Sequence, residues 1–332
     1  MRIGRRKLGG VLVGGMLAAH AGPAGLLGSA AAADTFDAWL AELRREAIAR
    51  GIRRETVTRA LADVRPMPAV IEADRRQPER RMTFTEYRER VVSPARIEEG
   101  RRRLAEHRAL LSRVEARYGV PAEMIVALWG MESNFGARQG GYPVFAALAT
   151  LAHDGRRARF FRKELLSALE IVDRGHADVE RMQGSWAGAM GQNQFMPSTY
   201  LAYAVDFDGD GRRDIWRSLP DVFASTANYL AASGWDARFR WGREVAAPPR
   251  LDADRTGLDH RASLAYWNEQ GVTLPDGGSL PASGLRASLL RMDEGAGPSF
   301  LVYGNFEALM AWNRSTYFGI SAGLLSDSLR DG

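Results

Sequence analysis

One stretch of this chain is apolar on every side of a helix. It runs Met124-Ile-Val-Ala-Leu-Trp-Gly-Met131 and follows Val120-Pro121, where the proline suits the first turn of a helix. A helix without a polar face has to be buried, so the fold must be built around this segment. The next residue is Glu132, so the buried helix ends in a carboxylate.

Most of the remaining chain also shows apolar residues at helical spacing. This spacing predicts helices at 35–50, 96–118, 143–152, 158–172, 221–232 and 305–329, with Asp221 placed to cap the helix that it opens. Residues 184–198 are rich in glycine and predict a structured loop. Between 248 and 300 short apolar runs, such as 287–290 and 300–303, predict a small strand-containing insertion. The fold class is therefore mainly α, with a small α+β subdomain.

The first 33 residues differ in character from the rest. A cationic start (residues 2–7) precedes an apolar stretch (residues 8–19), and Ala31-Ala32-Ala33 fits a small-x-small cleavage pattern. We therefore expect residues 1–33 to be a cleavable signal peptide and the mature protein to be periplasmic. The apolar run is too short for a membrane anchor. Arg5-Arg6 followed by Lys7-Leu8 partly matches a twin-arginine signal, so the export route stays open.

Charge argues against a nucleic-acid partner, and cysteine content excludes two covalent modifications. The formal net charge is +5, and the leader holds four basic and no acidic residues, so the mature chain carries a charge near +1. A nucleic-acid partner is not implied by that balance. The chain has no cysteine, which excludes disulfides and a lipid on an N-terminal cysteine.

Glu132 is the first candidate for chemistry. A carboxylate at the end of a buried helix loses solvation, which raises its pKa and lets it hold a proton near neutral pH. A general acid needs that property. The alternative is a structural glutamate that pairs with an arginine or with backbone amides. The polar pair Ser133-Asn134 and the nearby glycines favour a cleft, and at this point both interpretations stand.

The segment from Gly184 to Tyr200 combines glycines, neutral polar side chains and aromatic rings. Ser185, Gln192 and Gln194 offer hydrogen-bonding groups without charge, and Tyr200 is one of three aromatic residues beside them. Such a mixture suits a sugar, which has hydroxyl groups and an apolar ring face. The alternative is a hairpin whose glycines only allow tight packing.

The segment 206–221 carries aspartates at the spacing of a calcium loop. Positions 1, 3, 5 and 9 are Asp206, Asp208, Asp210 and Asp214. Gly211 stands at position 6, and Arg212 at position 7, where EF-hand loops ligate through the backbone. Position 12 is Arg217 and not the usual glutamate, but Asp221 is placed to close the coordination sphere. We predict a structural Ca²⁺ site, and the alternative is an acidic, solvated turn.

Taken in order, these segments resemble the lytic murein transglycosylases of the B type, glycoside hydrolase family 103. The motifs that carry the resemblance are Glu132-Ser-Asn-Phe-Gly136, Gly141-Tyr-Pro-Val144, Gly184-Ser-Trp-Ala-Gly-Ala-Met-Gly191, Gln194-Phe-Met-Pro-Ser198, the aspartate loop and Trp312-Asn-Arg-Ser315. The likeness extends from about residue 34 to residue 329. Phe145 and Ala146 replace a common Ile-Asp, and Trp312 stands where the family often has Tyr.

The resemblance implies a lysozyme-like helical core that carries the glutamate. Its domains would be an N-terminal helical lobe at 34–118, the catalytic core with its EF-hand-like loop at 119–247, the small subdomain at 248–300 and completing helices at 301–330. Glu132 becomes the catalytic acid and base. Ser185, Gln194 and Asn313 become groups that hold the sugar and the reacting intermediate, and Tyr303 and Tyr317 lie in matching stretches. Ser133, Gln192 and Tyr200, which the residue pattern places beside these motifs, complete the predicted substrate-binding set.

The implied reaction cleaves the MurNAc-GlcNAc bond of peptidoglycan, leaves 1,6-anhydro-MurNAc ends and needs no cofactor for its chemistry. One alternative is a muramidase, which requires a second catalytic group opposite the acid, for which Asp154 and Glu164 are candidates. Another is a non-catalytic peptidoglycan-binding protein of the wall machinery. The expected partner is the glycan strand, other wall-synthesis proteins are further candidates, and a monomer is expected.

Overall fold

The computed structural model describes residues 29–76, 82–249 and 251–330, and most of these are helical. The helices, in chain order, are α1 (Ser29–Ala49), α2 (Arg54–Ala60), α3 (Pro68–Arg75), α4 (Phe84–Val91), α5 (Pro94–Glu106), α6 (Arg108–Tyr118), α7 (Ala122–Ser133), α8 (Val144–Asp154), α9 (Ala158–Asp173), α10 (Pro197–Tyr203), α11 (Leu219–Ala232), α12 (Leu264–Glu269), α13 (Asn305–Trp312) and α14 (Thr316–Arg330). The strands are β1 (Tyr142–Pro143), β2 (Gln183–Gly184), β3 (Gly242–Val245), β4 (Arg261–Ser263), β5 (Arg286–Arg291) and β6 (Ser299–Val302). Residues 1–28 of the predicted signal peptide lie outside the described part of the chain.

Most predicted helices are present, and the differences have local causes. The predicted helix 96–118 is two helices, because His107 leaves helical geometry at φ −108° and ψ 18°. The predicted helix 305–329 is interrupted between Trp312 and Thr316. The prediction that Asp221 caps α11 is wrong. The helix begins at Leu219, and Ser218 Oγ accepts the Asp221 N–H at 3.4 Å, as an N-cap serine does.

The chain packs as two compact units. We call residues 29–76 and 132–226 the glutamate unit, and residues 82–131 and 227–330 the sheet unit. In the glutamate unit, α8 packs against α9, and α1 and α3 pack against α8. Helix α1 buries Phe36, Leu40, Leu43 and Ala47, which repeat at helical spacing along one face. Helix α8 is buried on nearly every side, from Val144 to Ala152.

The sheet unit contains an antiparallel sheet in the order β3-β6-β5-β4. Leu289 of β5 faces Leu301 of β6 across the ladder, and Trp267 of α12 packs in the same buried cluster. The sheet extends beyond the predicted insertion at both ends, since β3 begins at Gly242 and β6 ends at Val302. Helix α14 packs on α4 and α5. The apolar stretch of α7 is buried, as its composition requires.

Among the described residues, no helix has both the length and the apolar character that crossing a membrane requires.

Candidate active site

Glu132 lies next to the last residue of α7 and is half-buried. The three residues from Asn134 to Gly136 are left-handed, with φ of 51°, 57° and 82°. Two of them are not glycine, and such strained backbone is retained where the surrounding structure enforces it, often at functional sites. Ser133 is fully buried, and its Oγ accepts the Gly136 N–H at 3.1 Å. The predicted contact residue Ser133 therefore fixes the turn that follows the glutamate.

The loop 184–195 packs directly on the segment after Glu132. A Cβ at Gly140, where φ is +87°, would overlap the carbonyl oxygen of Gly184 and lie 2.6 Å from Ser185 N. A Cβ at Gly136 would overlap the side chain of Gln192. The strands β1 and β2 add a short antiparallel pair with Tyr142 opposite Gly184. Gly140 therefore has to be glycine, because a side chain there would meet backbone atoms. At Gly136, where φ is +82°, a side chain would have to displace the end of the Gln192 side chain.

Three glutamines join these segments. Gln139 Nε2 donates to Gly136 O and Trp216 O, both at 3.2 Å, and Gln192 Nε2 donates to Trp216 O at 2.9 Å. Gln194 Nε2 donates to Gln139 O at 3.1 Å. Gln192 is nearly buried and acts as a brace between loops. Gln139 was not among the predicted site residues, although its place between Gly136 and Gly140 marks it as part of the turn.

Two predicted sugar-binding side chains keep hydrogen-bonding capacity. Gln194 is half-buried with a left-handed φ of 51°, and within the described part of the chain its Oε1 accepts no hydrogen bond. Ser185 Oγ accepts the Ala189 N–H at 3.1 Å, and its hydroxyl hydrogen has no acceptor among the residues described. The pair therefore offers one carbonyl acceptor and one hydroxyl donor, neither of them charged.

Tyr200 is a buried residue that contacts the aspartate loop. It is fully buried, its hydroxyl donates to Arg213 O at 2.7 Å, and burial raises its pKa far above the usual value. The ring cannot meet a ligand while it is enclosed in this way. We therefore assign Tyr200 a structural role in holding the aspartate loop.

The aspartate loop brings three carboxylates together at the surface. Asp206, Asp208 and Asp210 are exposed, and each offers an oxygen atom within 4.8 Å of the others. Asp206 also accepts the N–H groups of Gly209 at 2.7 Å and Gly211 at 2.8 Å, which shapes the turn. Three convergent carboxylates in a pre-shaped loop fit a hard divalent cation such as Ca²⁺.

The other predicted ligands organise the loop. Asp221 is fully buried and accepts the N–H groups of Phe207 and Asp214, both at 2.7 Å. Burial raises its pKa to about 6, and the charges of Asp208 and Asp206 act in the same direction. A bound cation would offset that cost of ionisation. Asp214 Oδ1 accepts the Trp216 N–H at 3.0 Å, and Arg212 N–H donates to Asp210 at 2.7 Å. Coordination by Asp214, Asp221 or Arg212 remains a prediction.

Hydrogen bonds connect the aspartate loop to the glutamine cluster, which consists of Gln139, Gln192 and Gln194. Gln192 N–H donates to Ile215 O at 2.9 Å, and Trp216 Nε1 donates to Gln183 O at 3.0 Å. Ile215 and Trp216 of the aspartate loop therefore also contact the loop that carries Ser185 and Gln194.

Within the sheet unit, Asn313 lies in the break between α13 and α14. Its Oδ1 accepts the Ser315 N–H at 3.0 Å. The ring of the preceding residue, Trp312, packs edge-on against the Tyr229 ring, with 5.0 Å between the ring centroids. Tyr229 donates its hydroxyl hydrogen to Ala311 O at 2.6 Å. Tyr229 was missed from the sequence, because its contact with Trp312 joins residues more than eighty positions apart.

The two predicted tyrosines of the sheet unit lie in different surroundings. Tyr317 donates its hydroxyl hydrogen to Asp293, which also accepts the Phe84 N–H at 2.9 Å. Burial, followed by Asp293, raises the pKa of Tyr317 to about 12. Tyr303 is enclosed in the core beneath the sheet, only 3% exposed. Tyr317 is therefore held by Asp293, and Tyr303 packs in a buried cluster, while contact of either tyrosine with a sugar stays a prediction.

Comparison with known proteins gives consistent matches along most of the chain. Residues 35–327 match a family described as Transglycosylase SLT domain. The chain is 35% identical over 250 residues to the membrane-bound lytic murein transglycosylase B of Escherichia coli (strain K12), which covers 73% of this chain and 66% of that protein. The chain thus spans about two thirds of that relative's length.

Two solved structures have the same fold. SltB3 from Pseudomonas aeruginosa, solved in complex with NAG-anhNAM-pentapeptide, matches with a TM-score of 0.85 and 48% identity, over 90% of this chain and 80% of that one. The Escherichia coli lytic transglycosylase Slt35, solved in complex with calcium, matches with a TM-score of 0.76 and 29% identity, over 88% of this chain and 92% of that one.

Proposed function

Because the chain belongs to the transglycosylase SLT domain family, we propose that it is a peptidoglycan lytic transglycosylase with Glu132 as its single catalytic acid and base. The observation that carries this proposal is the position of Glu132. It stands at the end of a buried helix, half-buried, before a turn that the Ser133 hydroxyl and the glutamine cluster hold rigid. Gln194 and Ser185 supply neutral groups on the adjoining loop, which suits a sugar.

The first step needs an acid. Glu132, protonated, donates its proton to the glycosidic oxygen that leaves the N-acetylmuramic acid unit, and the C1–O bond breaks. The positive charge that develops on the sugar has to be stabilised, and the sugar's own N-acetyl group is suited to this. The hydroxyl hydrogen of Ser185 is a donor suited to orient such a group, since it has no acceptor among the described residues.

The second step needs a base. Glu132, now ionised, takes the proton from the 6-hydroxyl of the same sugar, and that oxygen forms the new bond to C1. Attack from within one molecule benefits from a high effective concentration, so no bound water is needed. The product carries a 1,6-anhydro-muramoyl end, and the glutamate returns to its protonated form.

The contacts of two other carboxylates support a single catalytic acid. Asp154, a candidate for a second group, pairs with Arg75 at 2.8 Å. Glu164, the other candidate, is 1% exposed, and both of its oxygens accept hydrogen bonds from Ser198. A muramidase would need one of these side chains to face the sugar, and both are committed to the protein.

A bound Ca²⁺ would be structural in this protein. Asp206, Asp208 and Asp210 would hold it, and it would neutralise the acidic loop on which the Ile215–Trp216 connection depends. We assign the protein to the periplasm, exported with a cleavable leader at residues 1–33 and without a lipid anchor. It would act there as a monomer on glycan strands, with wall-synthesis proteins as further partners.

The chemical form of the product ends tests the proposal. Purified sacculi digested with the full mature chain should release muropeptides with 1,6-anhydro ends, each lighter by one water than a lysozyme product. Mass spectrometry of the digest measures this. Mainly reducing ends would establish the muramidase alternative, and no release at all, with binding retained, would establish the non-catalytic one.

A further inference from the structure

The segment from Gly184 to Tyr200 contains three aromatic residues, and only one of them keeps a substantial part of its side chain at the surface. Tyr200 is fully buried and Phe195 is 3% exposed, whereas Trp186 is half-buried. Trp186 directly follows Ser185 in the glutamate unit. No role was assigned to this tryptophan above.

A tight turn fixes the backbone at Trp186. Gly188 N–H donates to Ser185 O at 2.9 Å, which closes a four-residue turn with Trp186 in its second position. Ser185 N–H donates to Ala189 O at 2.8 Å, and Ser185 Oγ accepts the Ala189 N–H at 3.1 Å. The other members of the turn, Ser185, Ala187 and Gly188, are buried. Trp186 is therefore the one residue of this turn whose side chain reaches the surface.

Trp186 differs from the other tryptophans in having no partner among the described residues. Six of the eight tryptophans pack against an aromatic ring or a guanidinium group, or donate their indole N–H to an oxygen: Trp39, Trp129, Trp216, Trp241, Trp267 and Trp312. Within the described residues, Trp186 and Trp235 do neither, and only Trp235 has its indole nitrogen buried. Trp186 thus keeps a free N–H donor at the surface. Tryptophans with one apolar and one polar end are enriched where a partner binds.

The chemistry of Trp186 suits the apolar face of a pyranose ring. An indole offers a flat apolar surface with one N–H donor at its edge. A pyranose offers a face of C–H groups, and the hydroxyl oxygens at its rim accept hydrogen bonds. Residues 182–205 include no charged side chain, which favours a neutral ligand. An uncharged sugar ring meets each of these conditions.

The alternation of sugars along the glycan strand identifies that ring. In the proposed reaction, Ser185 orients the N-acetyl group of the muramic acid unit. Consecutive Cα atoms lie about 3.8 Å apart, so Trp186 and Ser185 reach neighbouring sugar units and not distant ones. In peptidoglycan, the neighbours of each muramic acid unit are N-acetylglucosamine units. We therefore propose that Trp186 stacks on the N-acetylglucosamine ring next to the muramic acid unit that Ser185 holds. This inference rests on the proposed function.

Binding without turnover tests the inference. The protein is the full mature chain with Glu132→Gln, and the probe is a tetrasaccharide of alternating N-acetylglucosamine and N-acetylmuramic acid without peptides, titrated calorimetrically. Adding Trp186→Leu should weaken binding about ten-fold, because the apolar faces of the sugar and the indole no longer cover each other. Trp186→Tyr keeps a flat ring and should retain most of the affinity. Phe239→Leu makes the same kind of change at an exposed aromatic residue outside the segment and should bind like the parent protein.

The indole N–H signals in the nuclear magnetic resonance spectrum give a second readout, which a folding defect would not reproduce. The signal that is missing from Trp186→Tyr identifies Trp186. This signal should shift when the tetrasaccharide is added to saturation. The signal of Trp267 should stay in place, because that side chain is fully buried and donates its N–H to Ala287 O at 3.0 Å.

The outcomes separate this inference from the proposed function. Stacking requires both the loss of affinity in Trp186→Leu and the shift of the Trp186 signal, so either response without the other would overturn the inference. If the tetrasaccharide binds and neither response is seen, the inference alone fails. If the tetrasaccharide does not bind the Glu132→Gln protein at all, the proposed function fails with it.

Discussion

Glu164 accepts two hydrogen bonds from Ser198, one at each carboxylate oxygen. Oε2 accepts the Ser198 N–H and Oε1 accepts the Ser198 hydroxyl, both at 2.8 Å. Ser198 lies in the first turn of α10, where backbone N–H groups have no partner within the helix. The Glu164 carboxylate of α9 therefore accepts an N–H group at the start of α10, and both of its oxygens are used in structural hydrogen bonds.

Glu164→Gln should lower stability and leave the reaction unchanged. The amide keeps one acceptor oxygen, replaces the other with an N–H donor and removes the negative charge, so the two charge-assisted hydrogen bonds from Ser198 are weakened. The free energy of unfolding should therefore fall by roughly 1–3 kcal/mol. Denaturant unfolding measures this, with Glu170→Gln, an exposed change on the same helix, as the control. Normal stability with a loss of anhydro products would give Glu164 a catalytic role that we do not expect.

Glu132→Gln should abolish turnover and retain binding. The amide has nearly the same shape but cannot donate or accept the proton, and a general acid or base contributes about 10²- to 10⁴-fold to rate. Lysis of sacculi should fall at least by that factor, while the thermal midpoint and the affinity for glycan strands stay close to wild type. Substantial lysis by the purified variant would refute the assignment.

Gly140→Ala should be severely destabilising, and its neighbour offers a matched control. An added methyl group at Gly140 meets backbone atoms of Gly184 and Ser185, at a φ that also disfavours alanine. We expect a loss of about 3 kcal/mol or more, since backbone cannot move aside as a side chain can. At Gly141, a Cβ meets nothing within 4 Å, so Gly141→Ala should lie within about 0.5 kcal/mol of wild type. Equal effects at both positions would mean that the two segments do not pack as described.

Removal of calcium should lower the melting temperature. An ion that binds only the folded state adds stability that grows with its concentration, about 2.7 kcal/mol at one hundred times its dissociation constant. A chelator should lower the midpoint, and added Ca²⁺ should restore it. Asp208→Ala should abolish both responses, whereas Asp252→Ala, an exposed aspartate outside the loop, should keep them. The same midpoint with chelator and with Ca²⁺ would exclude a cation site.

The elements that the sequence predicts well are those whose signal is local. Helix α7 has no polar face and could only be buried. Strands β5 and β6 are short apolar runs between turn residues, and both lie close to their predicted positions. The break at His107 could not be seen in this way, because the apolar spacing continues across it from Leu104 to Leu111.

The roles of individual side chains depend on contacts that the sequence does not display. Ser133, Tyr200 and Tyr303 are residue types that bind sugars, yet tertiary packing encloses all three. The opposite holds for Gln139, which was not predicted and yet contacts two distant segments. Its side chain reaches Trp216 O, 77 positions away, and its carbonyl group accepts from Gln194, 55 positions away. Its place between two glycines marks a turn, but no local pattern shows that its side chain joins distant segments.

The hydrogen bonds of Ile215 and Trp216 have a thermodynamic consequence. The residues that close the acidic loop also hold Gln192 and Gln139, so ordering one segment lowers the entropic cost of ordering the other. Binding free energies that are coupled in this way are reciprocal. If cation binding raises the affinity for the glycan by some factor, glycan binding raises the affinity for the cation by the same factor. An enzyme engaged on the wall would therefore retain its ion at concentrations where the free enzyme releases it.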